Sequence, residues 1–166
     1  VNAFAIFANQ GNRTEPIYVL EVSDQSGRIL ESSQTQKTNI LSKETAFLIS
    51  DVLQDVVRRG TGWRARALGR PSAGKTGTTN DNLDAWYIGF IPQLLTGVYV
   101  GFDQPRSIGL HESGSRAAAP VWVEFMKNAV ANLPTQQFPQ PPGIVSVKIH
   151  QSGRRAGPCD LQDEIQ

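Results

Sequence analysis

Cysteine and histidine are almost absent from this 166-residue sequence, and neither sign of charge dominates it. The single cysteine, Cys159, excludes a disulfide within the chain. His111 and His150 are the only histidines and belong to no Cys/His cluster or H-E-x-x-H motif, so we expect no zinc site. The 16 Lys and Arg residues are scattered and nearly balance 15 Asp and Glu residues. The sequence therefore predicts no nucleic-acid partner.

Long hydrophobic runs are also lacking. No stretch of about 18 uncharged apolar residues occurs, so no segment of this sequence is expected to span a membrane. Val1 is not followed by the basic and apolar regions of a signal peptide. We therefore expect any targeting segment or anchor to lie outside this sequence. Hydrophobic residues still make up 39% of the chain, which is enough for one globular domain with a core.

The N-terminal part of the sequence predicts a helix followed by a β-hairpin. The apolar stretch that begins at Val1 is expected to end as a helix at Gly11. Residues from Ile17 to Leu30 alternate in polarity around the turn-forming residues 24–27, Asp-Gln-Ser-Gly. This pattern is typical of two short strands joined by a turn.

Two further helices are predicted from their caps and apolar periodicity. The first has Ser42 as its N-cap and is expected to stop at Gly60, and the second has Pro120 in its first turn. The apolar face of the first is predicted to contain Phe47, Ile49, Val52, Leu53, Val56 and Val57. The apolar stripe of the second is predicted to contain Val121, Trp122, Phe125, Met126, Ala129, Val130 and Leu133.

Three β-like runs lie between these helices. They span Ser72–Thr79, Ala85–Ile91 and Leu95–Phe102 and are separated by links short enough for hairpins. We expect a three-stranded antiparallel meander against which the last helix packs. The fold class predicted from this order is α+β, an antiparallel sheet meander with flanking helices.

The composition changes near Pro134. We interpret residues 1–133 as one portion of a domain and residues 134–166 as a Pro-, Gln- and Gly-rich extension. Within the extension, Ile144–Ile149 is the only segment that predicts a strand.

The chemically most informative segment is Lys75-Thr76-Gly77-Thr78-Thr79, on the first predicted strand of the meander. A lysine can hold a carboxylate or relay a proton. Threonines at alternate positions share one face of a strand, so two hydroxyls can bond the same carboxylate. A glycine between them lets a ligand approach the backbone. On an edge strand, free N–H and C=O groups could also pair with an extended peptide.

Several segments in fixed order resemble the transpeptidase domain of class A, bifunctional penicillin-binding proteins. They are residues 60–81 (GTGWRARALGRPSAGKTGTTND), Asp84–Pro92 (DAWYIGFIP), Val98–Asp103 (VYVGFD), Ala118–Trp122 (AAPVW) and Phe7–Gly11 (FANQG). The resemblance extends over about residues 1–150, and its specificity lies in the order of the motifs. It implies the β-lactamase/transpeptidase-like fold.

The resemblance also implies a function. The family cross-links peptidoglycan stem peptides with a serine from an S-x-x-K motif, which attacks the D-Ala-D-Ala end of the peptide and is acylated by β-lactams. By this resemblance Lys75 and Thr78 are catalytic: Lys75 acts electrostatically, and the Thr78 N–H donates to the oxyanion. Lys75, Thr76, Gly77, Thr78 and Thr79 are the implied substrate-binding residues. No metal or organic cofactor is implied.

The sequence departs from the family in lacking both serine motifs. Ser72-Ala-Gly-Lys75 matches S-x-x-K as text, but residues i and i+3 lie on opposite faces of a strand, so we interpret it as a coincidence. No Ser-x-Asn triplet occurs. We expect the chain to be the C-terminal half of a transpeptidase domain, inactive alone and poorly soluble without its N-terminal half.

The expected partners are the peptidoglycan stem peptide, β-lactam inhibitors and that N-terminal half. The expected location is the periplasmic, extracytoplasmic face of the bacterial inner membrane, through an anchor outside this sequence. Two alternatives remain open at this stage. One is a hydrolase, a β-lactamase or D,D-carboxypeptidase, that uses the same residues. The other is a non-catalytic penicillin- or peptidoglycan-binding module.

Other polar and aromatic residues receive structural interpretations. We expect Trp86 in the core, with Tyr87 on the opposite face of its strand. Turn formation and capping account for two carboxylates, Asp81 and Asp84. His111 is expected to be a solvated loop residue. Trp63 and Arg64 could shape the rim of a cleft. A loop near the site could contain Ser113, Ser115 and Arg116.

Overall fold

A computed structural model describes residues 1–150 and 152–155. Cys159 and the end of the predicted extension lie outside the described residues. The helices in the described part are α1 (Asn2–Ala8), α2 (Lys43–Arg58) and α3 (Ala119–Ala129). The strands are β1 (Asn12–Thr14), β2 (Glu21–Ser23), β3 (Ile29–Ser32), β4 (Lys37–Asn39), β5 (Ala73–Thr78), β6 (Ala85–Ile91) and β7 (Leu94–Val100). Short helical turns cover Trp63–Leu68, Asn80–Asn82 and Gly114–Ala118.

The predicted meander is confirmed. Strands β5, β6 and β7 form an antiparallel sheet in that order, and Lys75 lies opposite Ile88, which lies opposite Gly97. Strand β5 is therefore at one edge of this sheet. With α2 and α3 packed beside the strands, the α+β class is confirmed as well.

The core lies on one face of the meander, where α3 packs. Tyr87 and Trp122 are fully buried, with ring centroids 5.2 Å apart, and the Trp122 indole N–H donates to the Gly89 carbonyl at 3.2 Å. A Cβ atom at Gly89 would come within 2.9 Å of the Trp122 ring. Glycine at this position thus lets the large α3 side chain lie directly on the strand.

The prediction that Trp86 packs in the core is wrong. Its neighbour Tyr87 takes the core position, because alternate residues of β6 face opposite sides and α3 covers the Tyr87 side. Trp86 is 39% exposed and contacts Tyr99 on the other face, with ring centroids 4.8 Å apart.

The two predicted long helices are confirmed, but their buried faces differ from the predicted stripes. On α2 the buried residues are Ala46, Ser50, Gln54 and Val57, whereas Val52 is 65% exposed. Polar residues are tolerated on this face because they find partners: the Ser50 hydroxyl donates to the Phe7 carbonyl at 3.4 Å. On α3, Val121 and Phe125 are exposed.

The N-terminal predictions hold in outline. Helix α1 ends before Gly11, which has a φ of 88°, and β2 pairs antiparallel with β3 around a turn that contains Gly27, with a φ of 84°. Strands β1 and β4 form an additional antiparallel pair that the sequence did not predict. Each has only three residues, too few to show an alternating pattern.

The segment after α3 differs from the prediction. Residues 144–148 form no strand, and Ile149 makes an isolated bridge to Arg155. The preceding residues instead lie against the domain, where the Phe138 ring packs edge-on against Phe90 at 5.7 Å and the Gln93 amide donates to the Pro134 carbonyl. Within residues 1–150 and 152–155, no helix is long and apolar enough to cross a membrane.

Candidate active site

The K-T-G segment lies on β5, at the edge of the sheet. The Thr79 N–H donates to the Asp84 carbonyl at 3.1 Å, which identifies Thr79 and Asp84 as a hydrogen-bonded pair just beyond the end of β5. Because such pairs alternate along antiparallel strands, Gly77 and Lys75 also bond to β6. The N–H and C=O groups of Thr76 and Thr78 therefore point away from β6, toward the free edge.

Lys75 belongs to this edge although its side chain starts on the other face. The Lys75 ammonium donates to the Thr76 carbonyl at 2.8 Å, and the residue is exposed. This contact is an independent indication that the Thr76 carbonyl faces outward. The Lys75 ammonium, the Thr76 carbonyl that accepts from it and the outward-facing N–H groups of Thr76 and Thr78 thus lie along the same edge.

The hydroxyls of Thr76 and Thr78 share the opposite face from the Lys75 side chain, as predicted. The Thr76 hydroxyl bonds to the Thr61 hydroxyl, with 2.7 Å between the two Oγ1 atoms. The Thr78 hydroxyl accepts from the Gly114 N–H at 3.1 Å. Both hydroxyls are therefore oriented by groups from other elements. We did not predict these contacts, and the only sequence signal for them is the glycine content of the two loops.

Thr79 differs from the other two threonines. Its hydroxyl accepts from the Asp84 N–H at 2.8 Å, within the connection between β5 and β6. Asp81, with a φ of 60°, lies in the same connection, as the turn interpretation of the two carboxylates expects. The Asp84 carboxylate also accepts from the Tyr99 hydroxyl at 2.7 Å, and this bond raises the pKa of Tyr99.

Two glycines allow the backbone around the motif to pack closely. A Cβ atom on Gly77 would lie 3.3 Å from the Cβ atom of Trp86. A Cβ atom on Gly114 would lie 2.2 Å from the Trp86 carbonyl oxygen and 2.6 Å from the Gly77 carbonyl oxygen. The turn at Gly114–Ala118 thus rests directly on β5 and β6, which places the loop that contains Ser113, Ser115 and Arg116 next to the motif.

The remaining residues singled out in the sequence lie elsewhere. Trp63 and Arg64 line a groove of about 510 Å³ together with residues of α3, and His111 is exposed in a loop. Ser72 is 5% exposed and has no hydrogen-bond partner at its hydroxyl, whereas the Lys75 ammonium bonds to Thr76. Ser72 and Lys75 therefore do not form a nucleophile and base pair.

No group of three or more His, Cys, Asp or Glu residues in the described part of the chain is arranged to hold a metal ion. The β5 edge presents an ammonium group, two hydroxyls and outward-facing backbone N–H groups, all suited to an anionic or carbonyl ligand.

Comparison with known proteins identifies the family. The family model for the penicillin binding protein transpeptidase domain matches residues 1–127. The chain belongs to this family. Penicillin-binding protein 1A of Aquifex aeolicus is 40% identical over 148 residues, which are 89% of this chain and 20% of that protein. Penicillin-binding protein 1A of Pseudomonas aeruginosa is 45% identical over 126 residues, 75% of this chain and 15% of that protein.

A solved structure supports the same assignment. The crystal structure of penicillin-binding protein 1A from Haemophilus influenzae superposes with a TM-score of 0.83 at 30% identity, over 93% of this chain and 30% of that one. The resemblance to penicillin-binding transpeptidases and to their fold is therefore confirmed. The chain spans about a fifth of the length of the curated relatives it matches.

Proposed function

We propose that this chain supplies the K-T-G side of a serine D,D-transpeptidase active site. The single observation that carries the proposal is the free edge of β5, where the Lys75 ammonium, the Thr76 and Thr78 hydroxyls and the Thr78 N–H lie together. The family assignment supports transpeptidation, and relatives named penicillin-binding protein 1A support β-lactams as inhibitors. The substrate proposed is the D-Ala-D-Ala end of a peptidoglycan stem peptide.

In the proposed reaction a serine hydroxyl attacks the carbonyl carbon of the penultimate D-alanine. The terminal D-alanine leaves with the transferred proton. The nitrogen of an acceptor amine then attacks the ester carbonyl of the acyl-enzyme and forms the new amide bond, and the serine oxygen leaves with a proton from that amine. Thr76 and Thr78 bind the substrate carboxylate, while the Thr78 N–H donates to the oxyanion. One such donor typically contributes about 3 to 4 kcal/mol to lowering the barrier. Lys75 stabilises the negative charge on the substrate, and Gly77 keeps the strand accessible.

The nucleophile in this proposal comes from residues outside this sequence. Ser72 is buried and its hydroxyl has no hydrogen-bond partner, while the Lys75 ammonium donates to the Thr76 carbonyl, so the S-x-x-K match at residues 72–75 is not proposed as the nucleophile motif. The proposed partner is the N-terminal half of the domain, which would carry the S-x-x-K and S-x-N motifs. Because peptidoglycan is cross-linked outside the cytoplasm, we place the complete protein at the periplasmic face of the inner membrane, anchored by a segment outside this sequence.

The test uses a complete domain in which a segment with the S-x-x-K serine is joined to this chain. Fluorescent penicillin should label the unsubstituted domain covalently. Lys75→Gln should slow labelling about 30-fold or more, because a charged hydrogen-bond donor to an anion is lost. Lys37→Gln, which removes an exposed lysine on β4, should label normally. Absence of any adduct, or an unchanged rate for Lys75→Gln, contradicts the proposal.

The lifetime of the adduct separates the transpeptidase from the related hydrolases. A transpeptidase should keep the penicilloyl group for many minutes, because its site does not activate water against the ester. Rapid release with turnover of the β-lactam would identify a β-lactamase instead. A stem peptide hydrolysed even in the presence of an acceptor amine would identify a carboxypeptidase.

A further inference from the structure

We propose that Thr61 is a positioning residue for substrate binding: it donates its hydroxyl proton to Thr76, so that Thr76 in turn donates to the substrate carboxylate. This inference rests on the proposed function. Thr61 and Thr76 are 15 residues apart in sequence, and their Oγ1 atoms are 2.7 Å apart. The sequence alone assigned the Gly60-Thr61-Gly62 segment no role beyond ending α2.

The loop that carries Thr61 is held on both sides. The Gly60 N–H donates to the carbonyls of Asp55 and Val56, and the Gly62 N–H donates to the Val56 carbonyl at 3.0 Å. A Cβ atom on Gly62 would lie 3.2 Å from the Val56 carbonyl oxygen and 3.5 Å from the buried Tyr87 ring. The loop is therefore fixed to the C-terminal end of α2 and to the core, and it presents Thr61 at a defined position beside β5.

The direction of the Thr61 to Thr76 bond follows from counting protons. A hydroxyl has one proton to donate, and a carboxylate can only accept. If Thr76 donated to Thr61, it would have no proton left for the carboxylate. Binding of the carboxylate therefore requires Thr61 to be the donor. This arrangement also places the Thr76 lone pair toward Thr61 and its proton toward the ligand.

Thr78 shows the same arrangement with a backbone donor. The Gly114 N–H can only donate, so the Thr78 hydroxyl accepts from it and keeps its own proton for a ligand. Two neighbouring hydroxyls of β5 are thus both prepared as donors by groups from other elements, Thr61 and Gly114. The chemistry that fits such a pair is a carboxylate, whose two oxygens accept from both hydroxyls.

The test measures the rate of acylation by a penicillin with a free carboxylate, on the complete domain described above. Thr61→Val should slow acylation about 3-fold to 10-fold, the effect of one hydrogen bond, whereas Thr61→Ser should keep the original rate. Thr61→Ala serves as a second variant that removes the hydroxyl. Thr35→Val, an exposed threonine between β3 and β4, is the matched control and should have no effect.

The decisive comparison repeats these variants with Thr76→Val already in place. Once Thr76 has no hydroxyl to orient, Thr61→Val should not slow acylation further. If Thr61 had only a structural role, Thr61→Val would slow acylation in this background too. This inference is overturned if Thr61→Val slows acylation equally with and without Thr76→Val, or slows it in neither case, although the unsubstituted domain reacts with penicillin. Failure of the unsubstituted domain to react would overturn the proposed function, and with it the role of Thr61.

Discussion

Two β-hairpins in the described part of the chain, β6–β7 and β2–β3, occupy opposite environments. In the β6–β7 hairpin Tyr87 is fully buried, and α3 covers its face of the sheet. In the β2–β3 hairpin every strand residue is exposed, and Tyr18, just before β2, is 93% exposed. Residues 17–30, which contain β2 and β3, were predicted as strands from their alternating polarity, whereas β6 (AWYIGFI) consists of apolar residues and glycine. One hairpin contributes to the core and the other does not.

The difference shows that a sequence can predict a strand without predicting what covers that strand. The cover of β6 comes from Trp122, which lies 33 residues after the Gly89 carbonyl to which it donates. The β2–β3 hairpin is held by local bonds instead. The Asp24 carboxylate accepts from the N–H groups of Ser26 and Arg28, at 2.9 and 3.0 Å. The edge that we propose as part of the active site belongs to the same sheet as the covered hairpin, because β5 pairs with β6.

Removing the Trp122 side chain, which covers β6, should have the largest effect on stability. Trp122→Ala should lower the free energy of unfolding by about 4 kcal/mol, because it leaves a cavity against Tyr87 and frees the Gly89 carbonyl. Leu20→Ala, in a residue that is 74% exposed beside β2, should change it by less than about 0.5 kcal/mol. Urea unfolding followed by circular dichroism measures both. Equal losses in the two variants would contradict the contrast between the hairpins.

Two glycines sharpen the same comparison. Gly114→Ala should cost about 2 kcal/mol, since the added Cβ atom would lie 2.2 Å from the Trp86 carbonyl oxygen and must displace the turn from β5. Gly27→Ala, in the β2–β3 turn, meets nothing within 4 Å and should cost only about 1 kcal/mol, for a left-handed φ of 84°.

The two glycine variants should also differ in activity. Because the added Cβ atom must displace the turn, Gly114→Ala should also move the backbone N–H at position 114 away from the Thr78 hydroxyl, so acylation of the complete domain should slow as well. Gly27→Ala should acylate at the original rate. If Gly114→Ala reacted normally, the contact between the loop and Thr78 would have no part in the site.

Much of the fold followed from local signals in the sequence. The Ser42 cap, the stop near Gly60 and the three strands of the meander each depend on residues close together in the chain. The K-T-G segment was predicted on a strand, and the structure has it on β5 at an edge of the sheet, whereas its role in binding a peptide stays a prediction. What was predicted least well depends on distant neighbours. Trp86 and Tyr87 have similar hydrophobicity, and only the location of α3 decides which of them is buried.

The supporting contacts of the site were missed for the same reason. Nothing in the spacing of Thr61 and Thr76 indicates a bond between their hydroxyls, since it depends on how α2 ends beside β5. Gly114 gave no signal beyond its place in a Gly/Ser-rich loop. The buried face of α2 includes two polar residues, Ser50 and Gln54, which the apolar pattern did not predict. They can be buried because the Ser50 hydroxyl donates to a carbonyl of α1 and the Gln54 side chain accepts from Arg58.

The smallest predicted effect is on the pH response of the two hairpins. Hydrogen bonds from the Ser26 hydroxyl and the Arg28 N–H lower the pKa of Asp24. A carboxyl group whose pKa is lowered by folding stabilises the fold above its unfolded pKa, and this contribution is lost as the pH falls through the folded pKa. Below pH 3.8, its ordinary value, the β2–β3 turn should therefore loosen while the meander stays intact.

Nuclear magnetic resonance can follow both regions in one titration. The amide shifts of Ser26 and Arg28 should titrate together with a midpoint below pH 3.8, and the Trp122 indole shift should stay constant through the same range. Asp24→Asn should abolish the titration of the two amides, whereas Asp103→Asn should leave it unchanged. If the Trp122 indole followed the same midpoint, the hairpins would form one cooperative unit, and the exposed hairpin would depend on the core after all.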